Sequence, residues 1–253
     1  ATTGLIEMDY VIGDPYVTPV EVENQFSEKI FRLPHTRWCF SAPRVTIKPT
    51  ALPALKNGYI TFGCFNNLAK INQNVVSVWS DILGRVDNSR LLLVARGFQD
   101  ETLKARFLKL FSGQGITKDR LNFGGVVDDR EAYLDQYNLV DIALDPFPFN
   151  GGTVTDETLY MGVPLVTLAS DRQMGRMSKS KLIRLQLEDL VSDTAEEYVQ
   201  VAVDLANDVD RINNLKKEIR GRALKTIFNG KQHVDELEKA YRQKWEIYCA
   251  GKI

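Results

Sequence analysis

From residue 59 onward, short apolar runs alternate with longer stretches in which apolar residues recur every three or four positions. Residues 59–65 (YITFGCF) read as a strand, and residues 72–86 place Val75, Val78, Trp79 and Ile82 on one helical face. Residues 91–95 (LLLVA) are continuously apolar, as a strand buried on both sides must be. The same reading predicts helices over 100–111, 130–137 and 153–161, and strands over 121–125, 139–144 and 164–168. After residue 193 the chain turns helical, over 194–207, 208–226 and 233–248. Residues 1–56 hold six of the nine prolines and show no clean alternation.

Repeated strand–helix units predict an α/β fold, a Rossmann-like, doubly wound parallel sheet with helices on both faces. Ligands of such sheets sit outside the carboxyl ends of the strands. Chemistry is therefore expected in the loops 66–70, 96–99, 124–130, 146–152 and 169–176. The chain divides into 1–56, the remnant of a preceding domain and a linker; 57–230, the sheet domain; and 231–253, a C-terminal helix. On that last helix Leu237, Tyr241, Trp245 and Tyr248 lie at helical spacing and need a partner surface, which is expected in a preceding catalytic half unless they cover this domain's own sheet.

Composition narrows the function. With 32 basic and 33 acidic side chains among 253 residues, the net charge is −1, so no basic footprint points to nucleic acid. No apolar run approaches the ~20 residues of a membrane helix, and no signal peptide is visible. Cys39, Cys64 and Cys249 are odd in number and have no metal spacing, which suits free thiols in a reducing compartment. The chain opens at Ala1 in structured sequence and reads as part of a longer protein.

Three constellations can carry chemistry. Asn66-Asn67-Leu68-Ala69-Lys70 follows the first clear strand; a lysine there can meet a phosphate as a point charge, or simply be solvated. The run 145–157 (DPFPFNGGTVTDE) leads from a strand end through Gly151 and Gly152 into a helix. Glycines let backbone approach a ligand, and the free N–H groups of the first helical turn favour an anion. Thr153 and Thr155 add hydroxyls, and Glu157, about one turn past Thr153, can accept from ribose hydroxyls. The same segment also reads as an ordinarily capped helix. Arg130 and Tyr133, one turn apart, either face the strand-end cleft or form a charged surface. His35 and His233 are isolated, no Ser-His-Asp or metal arrangement is visible, and there is no GxGxxG for a nicotinamide cofactor.

The runs 60–71 (ITFGCFNNLAKI), 141–145 (DIALD) and 150–164 (NGGTVTDETLYMGVP), with 8–14 (MDYVIGD) and 32–35 (RLPH), resemble glycosyltransferase family 41. That family holds the O-linked N-acetylglucosamine transferases and the SPINDLY proteins. The resemblance implies the C-terminal, donor-binding domain of a GT-B enzyme, cytoplasmic, with an N-terminal catalytic half and tetratricopeptide repeats elsewhere in the full protein. It implies inverting, metal-independent transfer from a UDP- or GDP-sugar to Ser or Thr hydroxyls of acceptor proteins, with no cofactor. UDP-N-acetylglucosamine is the first expectation and GDP-fucose the alternative. By position, Lys70 is the catalytic lysine at the donor diphosphate, with Asn67 beside it. Gly151, Gly152, Thr153 and Thr155 form the phosphate-binding helix start, and Glu157 holds the ribose. Arg130 and Tyr133 line the nucleotide pocket, and the backbone at Asp128 lies near the base. Two departures stand out: Tyr133 replaces a common histidine and Val154 a common threonine. They keep open a nucleotide-sugar-binding module without chemistry, and a purely structural role.

Overall fold

The computed structural model describes residues 2–125 and 127–251. Near the start, β1 (Tyr10–Gly13) and β2 (Lys29–Arg32) pair in parallel as a separate two-stranded sheet. These four-residue strands are too short to show an alternation, which is why the sequence pattern hides them. The chain then runs along the sheet domain. Glu131 accepts from the Thr46 N–H at 2.8 Å, and the Asn138 side chain accepts from the Thr50 N–H at 2.9 Å.

The sheet domain follows, with helices and strands alternating as far as α7 and two further helices after it: α1 (Ala54–Asn57), β3 (Thr61–Cys64), α2 (Gln73–Arg85), β4 (Arg90–Val94), α3 (Glu101–Ser112), β5 (Leu121–Gly124), α4 (Arg130–Asp135), β6 (Ile142–Leu144), α5 (Thr153–Tyr160), β7 (Leu165–Leu168), α6 (Met177–Arg184), β8 (Val191–Ser192), α7 (Ala195–Ala206), α8 (Val209–Lys225) and α9 (Gly230–Cys249). The six strands from β3 onward order as β5-β4-β3-β6-β7-β8, every pair parallel. Side-chain caps start the helices: Asn72, Asp100, Asp129, Thr194 and Asp208 each accept a backbone N–H of the first turn.

Burial explains the apolar strands. All four residues of β3 and four of five in β4 are buried. Gly63 is required in β3 because a Cβ there would lie 2.5 Å from Val140 Cγ2. Trp79 of α2 is fully buried and donates to Tyr198 of α7 at 3.1 Å, and Tyr198 donates to the Asp145 carbonyl at 3.1 Å. That chain ties the helical layer to the end of β6.

α6 and β8 escape the sequence pattern. α6 turns Ser178, Ser180 and Lys181 inward, the reverse of an amphipathic rule, and β8 has two residues. α9 begins three residues earlier than expected because Asn229 caps it. Only Ala240 of α9 is buried; Tyr241, Trp245 and Tyr248 stay about 60% exposed. Lys244 of α9 lies over the rings of Tyr10 and Phe31, so this helix runs along the β1–β2 pair. No helix among the described residues is long and apolar enough to cross a membrane.

Candidate functional site

The strand order reverses between β3 and β6. Successive strands run outward from β3 to β5, then the chain returns to β3's other side. A crevice opens at the carboxyl ends of strands at such a point. The loops leaving β3 and β6 therefore face each other, and they carry two of the three constellations.

After β3, Phe65 stacks on Tyr137 with centroids 3.7 Å apart, and Asn66 is buried. Asn67 is exposed, and its side-chain oxygen accepts from the Ala69 N–H at 2.9 Å, closing the turn that presents Lys70. The half-buried Lys70 ammonium donates to the Asn150 carbonyl at 2.7 Å and to Asn66 at 3.3 Å, and stands 4.1 Å from the Phe149 ring centroid. Burial lowers its pKa, and the negative charge of Asp145 works against that shift.

The loop after β6 is pinned from beneath. Asp145 is wholly buried; its carboxylate accepts from the Gly151 N–H at 2.7 Å and from Thr167 at 2.8 Å. Desolvation raises its pKa. Gly151 admits no side chain, since a Cβ would meet Thr155 Oγ1 at 2.4 Å. The Lys181 ammonium, wholly buried, donates to the Gly152 carbonyl and to Asp156, each at 2.8 Å. The backbone N–H groups of Gly152, Thr153 and Val154 meet no protein acceptor among the described residues. They are the free donors of the helix start. Thr153 is exposed at this opening, whereas Thr155 is 1% exposed and its hydroxyl bonds Ser178 at 3.0 Å. The structure thus places Thr155 and Gly151 behind the surface that Gly152 and Thr153 present.

Glu157 gathers the third constellation. Its carboxylate accepts from Arg130 at 2.6 Å and from Tyr133 and Tyr137 at 3.3 Å each. Burial, followed by the Glu157 charge, pushes the Tyr133 phenol up to about 12. Arg96, Asp128, Arg130, Tyr133, Thr153 and Glu157 line one cleft of about 420 Å³. Asn67 and Lys70 line a neighbouring one of about 310 Å³ with Phe147 and Phe149. The pinned loop from Asn150 to Gly152 lies in sequence between Phe149, which lines the second, and Thr153, which lines the first.

Sequence reasoning missed the groups that hold this loop: Asp145, Asp156, Ser178 and Lys181. Asp145 carried a signal, a carboxylate directly after an apolar strand. It also missed Tyr137, and Arg96 in a loop it had marked for inspection. No group of three or more His, Cys, Asp or Glu side chains able to hold a metal ion occurs among the described residues.

The family model of glycosyl transferase family 41 matches residues 41–237. The chain is 38% identical over its whole length to an Arabidopsis thaliana protein described as a probable UDP-N-acetylglucosamine–peptide N-acetylglucosaminyltransferase SPINDLY, of which it covers 28%. It superposes on an O-GlcNAc transferase mutant of Thermobaculum terrenum with a TM-score of 0.89 and 34% identity, covering all of this chain and 48% of that one. Sucrose-phosphate synthase of Thermosynechococcus elongatus, at 15% identity and a TM-score of 0.65, shares the fold over 94% of this chain and 59% of its own. The chain thus spans little more than a quarter of the plant relative's length. The sheet domain has the Rossmann-like form of the C-terminal half of GT-B glycosyltransferases. With a family model matched across most of its length and a whole-chain likeness to SPINDLY, the chain belongs to glycosyltransferase family 41.

Proposed function

We propose that this chain is the nucleotide-sugar-binding part of a protein O-glycosyltransferase. The observation that supports this most is the meeting of Lys70 with the free N–H groups of Gly152, Thr153 and Val154 at the point of strand reversal. A diphosphate seated there meets an ammonium and a helix N-terminus together. The neighbouring cleft is large enough for a nucleoside, with the Glu157 carboxylate for ribose hydroxyls and Arg96, Arg130 and Tyr133 around it.

In the reaction, a Ser or Thr hydroxyl oxygen of the acceptor forms a bond to the anomeric carbon as the bond to the diphosphate oxygen breaks, inverting the centre. Negative charge develops on the leaving diphosphate. Lys70 and the loop N–H groups act there as fixed electrostatic stabilisers. The acceptor proton goes to a group outside this chain, in the N-terminal catalytic half, and tetratricopeptide repeats of the full protein choose acceptors. The donor is UDP-N-acetylglucosamine, the sugar nucleotide that the description of the plant relative names. Free thiols at Cys39, Cys64 and Cys249 support a cytoplasmic setting.

Calorimetric titration with UDP and GDP tests the reading and separates the nucleotides. UDP is expected to bind and GDP to bind at least tenfold more weakly; the reverse order would move the assignment to a GDP-fucose-dependent enzyme. Lys70→Ala is expected to lose roughly 10- to 150-fold in affinity, the equivalent of a charge-assisted hydrogen bond of about 1.5–3 kcal/mol. Wild-type affinity in that variant would remove Lys70 from the site. Tyr133 and Val154 motivate a binding module without chemistry, which would bind UDP while the full-length protein neither transfers nor hydrolyses the sugar.

A further inference from the structure

A third cleft, of about 680 Å³, lies between α8 and the segment 48–51. Lys48, Lys216, Lys217 and Arg220 line it, and no carboxylate does. Lys216 is unusual among them. It is 4% exposed, and its ammonium has no hydrogen-bond partner among the described residues. The carboxylate that acts on it electrostatically, Asp141, is already taken by the N–H groups of Ala54 and Thr61 at 2.8 Å each. Burial lowers the Lys216 pKa to about 8. Arg220 is committed to the Tyr160 hydroxyl at 2.6 Å, whereas Lys48 and Lys217 enter no ion pair among the described residues.

An unpaired ammonium inside a protein is unfavourable unless something supplies the opposite charge. Apart from Thr50, Asn213 and Gly221, the rest of the wall is apolar: Pro49, Ala51 and Leu224, which is 45% exposed. We propose that this cleft binds a small soluble molecule that carries a phosphate on an apolar body, with the phosphate at Lys216, Lys217 and Lys48 and the body against Pro49 and Leu224. The cleft's volume of about 680 Å³ selects a soluble ligand over a bilayer, because a flat headgroup surface does not fill a concave cleft. The site is distinct from the donor crevice. Asp141 immediately precedes β6, so Lys216 lies at the amino end of the sheet, away from the loops that carry Lys70 and Thr153.

Residue-resolved NMR titration of the chain with phenyl phosphate tests this, with phenol, inorganic phosphate and phosphatidylserine-containing vesicles as comparisons. Saturable shifts are expected at 48–51 and 213–224, separate from any at 66–70 and 150–157, with phenyl phosphate binding more tightly than phenol or inorganic phosphate. Lys216→Met is expected to fold and to weaken phenyl phosphate at least tenfold; the surface pair Lys48→Ala with Lys217→Ala is expected to do the same. No shifts at 48–51 and 213–224, or wild-type affinity for phenyl phosphate in both variants, would overturn the proposal. So would vesicle binding at these residues without phenyl phosphate binding, which would make the cleft a membrane contact.

Discussion

The Lys181–Asp156 pair beneath the glycine loop makes the sharpest prediction. Both side chains are buried, at 0% and 9% exposure, and their charges meet at 2.8 Å. Desolvation pushes the Asp156 carboxyl up and the Lys181 ammonium down, so each is tolerable as an ion only beside the other. Lys181→Met keeps the length and apolar stem of the side chain and deletes its charge. Asp156 is then a buried carboxylate without a counter-charge, which costs about 3–5 kcal/mol. The Gly152 carbonyl loses one donor but still accepts from the N–H groups of Thr155 and Asp156, so the damage centres on the carboxylate. For a domain of this size each kcal/mol lowers Tm by about 2–4 °C, giving a fall of roughly 6–20 °C. Asp156→Leu on top of Lys181→Met removes the stranded charge and should recover most of the loss. Scanning calorimetry on the wild type, both single variants and the double variant reads the coupling directly. A Lys181→Met variant within about 1 kcal/mol of wild type, or a double variant no more stable than the worse single one, would refute the argument that this pair holds the start of α5.

Other outcomes follow from the same geometry. Glu157→Gln should change stability by less than about 1 kcal/mol, because Arg130 is 43% exposed and both tyrosines can still donate to the amide oxygen. Calorimetry should nevertheless show UDP weakened more than bare pyrophosphate, the mark of a ribose contact; equal losses would place Glu157 elsewhere. Lys216 has a folded pKa of about 8 against an ordinary 10.5, so above pH 8 the unfolded chain binds the extra proton and stability rises with pH. The gap between the two values amounts to about 3 kcal/mol. Lys216→Met should therefore be the more stable protein at pH 7, by an amount that shrinks toward pH 10.5; a constant difference in melting curves would contradict this. UDP affinity should be unchanged by EDTA, since protein cations and N–H groups meet the diphosphate in the proposed site; a tenfold loss would show a metal ion to be needed.

The sheet was legible in the sequence wherever strands are buried on both faces. Residues 91–95 can be little else, and the loops after such strands hold Lys70 and lead into the helix of Glu157, whose expected roles come from the family resemblance. The supports were not legible. In the segment that forms α6, lysines and serines look like a solvated surface, yet Lys181, Ser178 and Ser180 are wholly buried. Their partners lie far away in sequence: Asp156 for Lys181, Thr155 for Ser178 and Asp14 for Ser180. Helical periodicity reports contact with a generic apolar core, and a polar network built between distant segments leaves no period. The Thr155 hydroxyl shows the cost of that blindness. Its sequence position suits a ligand, while its partner 23 residues on, Ser178, turns it inward.

The loop between β6 and α5 is held at Asn150 by Lys70, at Gly151 by Asp145, at Gly152 by Lys181 and at Thr155 by Ser178. Such a loop has little freedom left to lose when a ligand arrives, whereas ordering a mobile one costs about 0.5–1.5 kcal/mol for each flexible side chain that is fixed. The consequence is kinetic. Under the proposed function, a nucleotide docks on this loop without folding it, and its observed binding rate should climb in proportion to ligand concentration without levelling off at the speed of a closing lid.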